Sequence, residues 1–242
     1  MAQKRGASRR KPSSRQATLQ RLQRRLLLLT VVVMGLMVFV AWAGGENGRA
    51  ARWLEDWRSR PAAQAAAQGR QIGLIAGHMD FDSGAICPDG LTEAETVQAI
   101  AERVARRLEQ AGARVDVLAE YDARLNGYTA DVLVSIHADS CLDRSGFKVA
   151  RSETSVIPAV EDDLVDCLRQ QYIQSTAIPF DADSITADMT GYHAFQRVAP
   201  QTAAAIIETG YLDGDSRVIV RQPDLAARGI ANGIICFLQA RG

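Results

Sequence analysis

Residues 26–43, LLLLTVVVMGLMVFVAWA, carry no charge, and Thr30 is their single polar side chain. Eighteen helical residues rising about 1.5 Å each span about 27 Å, close to the hydrocarbon thickness of a bilayer. The run follows residues 1–25, which hold nine of the 28 basic side chains and no acid. The positive-inside rule keeps such a tail in the cytoplasm and puts residues 44–242 outside. Ala41-Trp42-Ala43 also reads as a signal-peptidase site, so secretion after cleavage near Ala43 is the competing expectation. An apolar core this long behind a 25-residue lead favours an uncleaved single-pass anchor at the cell membrane.

With the tail removed, the formally neutral chain keeps 19 basic against 28 acidic groups. That acidic excess points away from a nucleic-acid partner, and 47% hydrophobic residues exclude a disordered chain. Residues 44–70 read as a linker, opened by Gly44, Gly45 and Gly48 and closed by an Ala/Gln-rich spacer from Pro61 to Arg70. Within it Trp53 and Trp57 share a helical spacing, as an interfacial pair at a membrane or as packing against the domain. The folded domain is expected over residues 71–242. It holds Cys87, Cys141, Cys167 and Cys236, which allow three disulfide connectivities in an oxidising compartment, or remain buried thiols.

QIGLIAG (71–77) is a short apolar run ending in Gly, as buried strands do. Thr92 and Glu95 form a capping-box pattern before Val97, Ile100, Ala101, Val104 and Leu108, which predicts a helix ending at Gly112. Strands are predicted at 114–119, 131–138, 146–150, 190–198 and 203–210, a turn at Leu125-Asn126-Gly127, and helices at 158–173 and from Pro223 through Leu238. Alternating strands and helices predict an α/β three-layer sandwich. Its mainly parallel sheet would be covered by helices on both faces, and one N-terminal transmembrane helix would precede it.

Two of the three histidines stand where predicted strands run out: His78 after LIAG and His137 within VSIHA. Glu93 opens the first helix of the domain, and Glu208 ends the apolar run AAAIIE. Ligands of open α/β sheets bind outside the carboxyl ends of the strands, so all four groups gather at one edge. A buried strand has little reason to end in an unpaired carboxylate. Two imidazoles and two carboxylates suit a catalytic zinc site: three ligands, an open position, and one carboxylate to work on water. Each of the four alone has a plain structural reading, and the combination carries the inference.

The segments Ala76-Gly77-His78, Asp82-Ser83-Gly84-Ala85, Gly90 with Glu93, Asp131 through Asp139, and Ile207-Glu208-Thr209-Gly210-Tyr211-Leu212 occur in order. Together they resemble the successive motifs of zinc-dependent N-acetylmuramoyl-L-alanine amidases of the Amidase_3 family, over about residues 71–240. The resemblance implies one Zn2+ held by His78, Glu93 and His137, with Glu208 as the catalytic carboxylate. It implies hydrolysis of the amide between the lactyl group of N-acetylmuramic acid and L-alanine in peptidoglycan. A catalytically silent wall-binding homologue and a zinc peptidase acting on another exported peptide are the alternatives. Whether a regulatory protein is needed stays open.

The chain departs from the family pattern at His78-Met79-Asp80, where His-Gly-Gly is usual, at Ala94 in place of Lys, and at Asp213-Gly214-Asp215 in place of Ser-Asn. Asp82 reads either as a partner orienting a ligand imidazole or as a turn former. Glu95 is rotated by about 200° from Glu93 and stays a capping residue. His193 reads as a structural histidine or a substrate contact. With both loops beside the metal, a Cys87–Cys141 bridge would tie the rim, and Cys167–Cys236 would join two apolar helix faces.

Overall fold

The computed structural model describes residues 14–44 and 61–241, in two compact units, Met1–Ser59 and Arg60–Gly242. The described part of the first is one helix, α1 (Ser14–Gly44). Its stretch Leu22–Phe39 is long and apolar enough to cross a bilayer, and its large apolar side chains are exposed. The Thr30 hydroxyl donates to the Leu26 carbonyl at 2.9 Å, which satisfies that polar group without water. Trp53 and Trp57 lie outside the described residues.

The second unit starts earlier than expected. Residues 61–67 are helical rather than a spacer, and Ala67 is fully buried in the core. An Ala-rich stretch serves equally as spacer or as a helix whose small face packs closely. Arg70 and Gln71 are pinned to Asp131, by an Nη1–Oδ1 ion pair of 2.9 Å and a backbone N–H bond of 2.8 Å.

Then come β1 (Gln71–Ala76), α2 (Glu93–Gln110), β2 (Arg114–Leu118), β3 (Val132–Asp139), β4 (Lys148–Ala150), α3 (Pro158–Thr176), β5 (Ala203–Tyr211) and α4 (Pro223–Ala240). The sheet order is β2-β1-β3-β5-β4, parallel throughout except for β4, which runs antiparallel at the edge. Thr92 caps α2 by accepting the Glu95 N–H at 3.2 Å.

Alternate residues of the central strands enter two cores. Ile72, Leu74, Val132, Val134, Ile136, Ala205 and Ile207 join the core that includes residues of α2, α3 and α4. Ile75, Leu133, Ala204 and Ile206 join a smaller core with Leu125, Met189, Tyr192, Ala194 and Val198. Burial on both faces explains the unbroken apolar runs. The faces are covered unequally, one by three long helices and the other by short turns.

Residues 190–198 supply part of that thin cover. They form no strand: a helical turn (Ala187–Thr190) is followed by a 3-10 turn (His193–Gln196). Met189, Tyr192, Phe195 and Val198 all pack into the smaller core, a spacing of three that suits such turns and overrides the alternation read from the sequence.

Glu161 in the first turn of α3 is 4% exposed and accepts the Ala204 N–H at 3.1 Å. Burial is the largest influence on its carboxyl and raises its pKa. A raised folded pKa gives stability that is complete below the ordinary carboxylate range and lost as pH rises through the folded value. Glu161→Gln keeps the acceptor and removes the charge. It is expected to melt about 2–4 °C above wild type at pH 8, with the gain vanishing near pH 4. Thermal unfolding at both pH values checks this, and an equal shift at both would contradict it.

Candidate metal centre

By strand alternation His137 and Glu208 point to the thinly covered face, on the opposite side from Ile136 and Ile207. They are direct partners in the β3–β5 register, and Lys148 stands opposite Glu208 on the other side. His78 follows the end of β1, and Glu93 enters from the first turn of α2. One ligand atom from each of His78, Glu93 and His137 lies within 4.8 Å of the others, a group able to hold a metal ion.

Glu93 Oε1 is the focus of the group, 3.2 Å from His78 Nε2 and 3.2 Å from His137 Nδ1. Those two nitrogens therefore face the shared centre. The opposite nitrogen of His78, Nδ1, is held by Asp82 Oδ1 at 2.5 Å. Glu93 is further fixed by backbone N–H groups of Ala85 at 3.2 Å and Ala138 at 3.1 Å. Gly77 makes room for the site: a Cβ there would stand 2.5 Å from Cε1 of His137.

His78 and Asp80 have φ of 64° and 60°, in the left-handed region. Asp80 thus takes a glycine-type conformation at one of the positions where the family pattern has Gly, and Asp tolerates it better than most side chains.

The electrostatics favour a cation at this point. Burial works to raise the Glu93 pKa, yet the two imidazoles bring it down to about 2. Burial opposes charge on His137, and the carboxylates of Glu120 and Glu93 outweigh it, raising its pKa to about 10. Glu208 goes the other way: burial, its largest influence, pushes its carboxyl up to about 7. Its Oε2 is closed to solvent and accepts no hydrogen bond. Lys148, its neighbour across the sheet, directs Nζ to Asp139 Oδ2 at 2.5 Å. Three carboxylates crowd two imidazoles that are neutral when ligating, so a divalent cation fits both the charge and the donor set.

Glu120 escaped the reading of the sequence. It leaves the loop after β2 and is 5% exposed. It accepts the His78 backbone N–H at 3.0 Å, the Tyr192 hydroxyl at 2.9 Å and His193 Nε2 at 2.8 Å. The signal was an acid directly past a strand's carboxyl end, the same signal that marked Glu208. His193 sits in the 3-10 turn, bonded to Glu120 and stacked on Tyr121 with ring centroids 4.3 Å apart. Glu95 is exposed on α2, turned away from the centre.

Two disulfides form, one of them beside the site. Cys87–Cys141 joins the loop before α2 to the loop after β3, with Cα atoms 5.4 Å apart. Cys167–Cys236 joins α3 to α4, with Cα atoms 5.7 Å apart.

No curated protein matches the chain in sequence. Among solved structures, the amidase Ami1 of Mycobacterium smegmatis is similar at 21% identity and TM-score 0.58, over 72% of this chain and 99% of that one. An N-acetylmuramoyl-L-alanine amidase of Clostridium difficile 630 is similar at 17% identity and TM-score 0.56, over 72% and 100%. The amidase AmiC2 of Nostoc punctiforme is similar at 26% identity and TM-score 0.52, over 71% and 99%. The family model Amidase_3, N-acetylmuramoyl-L-alanine amidase, matches residues 72–236, which reach every strand of the sheet and include all three residues of the candidate metal group. Sheet, site and sequence pattern therefore agree: the chain belongs to the Amidase_3 family of N-acetylmuramoyl-L-alanine amidases, hydrolases of peptidoglycan.

Proposed function

We propose that His78 Nε2, Glu93 Oε1 and His137 Nδ1 hold one zinc ion, and that Glu208 carries the proton in hydrolysis of the lactyl–L-alanine amide. The observation that carries this reading is the orphaned Oε2 of Glu208, one strand away from His137 and shut off from solvent. Zinc, when bound, supplies Lewis acidity that polarises the amide carbonyl and makes water nucleophilic near neutral pH. Glu208 accepts the proton of the attacking water and returns it to the leaving amine of L-alanine, so both products form without a free strong base or acid. A carboxyl raised to about 7 by burial is suited to both transfers. Asp82 holds the His78 ring through Nδ1, leaving Nε2 directed at the centre.

Residues 26–43 are proposed to anchor the chain in the cytoplasmic membrane, with the basic tail inside and the domain from about residue 61 outside. Two disulfides support an oxidising location.

Full-length protein in detergent, incubated with purified sacculi, is expected to release stem peptides with a free N-terminal L-alanine and to carry one zinc per chain. Mass spectrometry of the fragments and elemental analysis of the protein check both. Peptides still joined to muramic acid, or cuts within the stem, would refute the assignment.

A further inference from the structure

We propose that Glu120 is a positioning residue of the metal centre, holding His137 in the tautomer that leaves Nδ1 free to ligate. The inference rests on the zinc reading above and adds a residue that neither touches the metal nor meets the substrate.

The geometry of the His137 ring carries it. Nδ1 lies 3.2 Å from Glu93 Oε1, on the side where the ligand atoms converge. Nε2 points the opposite way; it is buried without a hydrogen bond, and Glu120 Oε2 lies 3.5 Å from it. A ligating imidazole is neutral, so with Nδ1 on the metal its proton must reside on Nε2. An apolar wall would offer that N–H nothing; here a carboxylate oxygen stands 3.5 Å away, within a small ring rotation of a hydrogen bond. Such a partner fixes the ring's orientation and strengthens its donor nitrogen.

Glu120 is itself over-determined. His78 N–H, Tyr192 O–H and His193 Nε2 converge on its two oxygens, and Ser135 Oγ donates to the Tyr192 hydroxyl at 3.0 Å. A carboxylate accepts at both oxygens and offers no competing N–H, which suits four facing donors. One carboxylate thus joins the backbone of the first ligand, the ring of the last, and the turn covering the site. Asp82 does the corresponding work for His78, so each ligand imidazole has its own acid behind it.

In Glu120→Gln the converging donors would meet an amide that carries its own N–H groups, so the variant is also expected to lose stability without metal. The zinc affinity of the folded variant and the tautomer of His137 separate a positioning role from a structural one. Zinc affinity of full-length protein in detergent, measured by competition with a chromophoric chelator, is expected to fall about 10–100-fold in Glu120→Gln. The metal-free variant is expected to melt below wild type, so zinc affinity is compared on protein that circular dichroism shows to be folded. In zinc-loaded wild type, imidazole nitrogen NMR is expected to show His137 protonated at Nε2 and metallated at Nδ1. Unchanged zinc affinity in Glu120→Gln, or the opposite tautomer in wild type, would overturn the inference; the NMR result decides it even if the variant fails to fold. Wild type that binds no zinc at all would remove the metal reading itself, and this inference with it.

Discussion

Glu208→Gln is expected to lower sacculus hydrolysis by about 10²–10⁴-fold while leaving zinc affinity within a few-fold of wild type. The substitution keeps the size of the side chain and its place at the end of β5, and removes only the capacity to take a proton. No hydrogen bond at Oε2 depends on that charge, and Lys148 Nζ is directed to Asp139. Burial already disfavours the ionised form, as the rise to about 7 records. The metal-free variant should therefore be as stable as wild type or more so near neutral pH. The sign follows from linkage: a carboxyl raised on folding stabilises below the ordinary carboxylate range and loses that contribution as pH rises through about 7. Rates on sacculi, zinc titration and thermal unfolding of one preparation separate the effects. Hydrolysis within tenfold of wild type would show that another group moves the proton.

The parts of this molecule that were legible in the sequence share one physical cause. β1, β3 and β5 are buried on both faces, so they read as unbroken apolar runs, and a polar residue finishing such a run stands out. His137 and Glu208 were visible for that reason. Glu120 obeys the same rule at the end of β2, but β2 is an edge strand, part exposed and interrupted by Asp116, so an acid after it carries no contrast. The segment around His193 was misread because Tyr192, Ala194, Gln196 and Val198 alternate in position while the buried set repeats every three from Met189. Ala67 could not be told from a spacer residue, because its packing value lies in being small against a core assembled from distant segments. Local patterns reveal burial along one element; they do not reveal which elements a short turn or an acid will meet.

Gly77→Ala tests whether the ligand geometry is set by the strand beneath it. The β1–β3 register runs through Ala76 and Ile136, which sets Gly77 beside His137. A Cβ at position 77 would stand 2.5 Å from Cε1, 2.6 Å from Nδ1 and 2.7 Å from Nε2 of that ring, closer than atoms approach. The backbone has little freedom to withdraw, since Gly77 N–H is bonded to the Ile136 carbonyl at 2.9 Å. The ring must turn instead, away from Glu93, and the centre loses a ligand. Zinc affinity is expected to fall by at least ~100-fold, since loss of a ligand exceeds the 10–100-fold cost of losing an outer partner. Hydrolysis at limiting zinc should fall with it. Overpacking alone costs about 1–3 kcal/mol, so a control of similar steric severity is needed. Gly73→Ala provides it: on the same strand, its Cβ would meet the Tyr128 ring at 2.7 Å and Leu133 at 3.0 Å, with no ligand nearby. Gly73→Ala should lower the melting temperature and leave zinc affinity intact, whereas Gly77→Ala should lose zinc beyond any loss of stability. Equal loss of zinc in both variants would mean that the centre reports the general integrity of the sheet. Loss in Gly77→Ala alone would mean that the missing side chain at the end of β1 is what admits His137 to the metal.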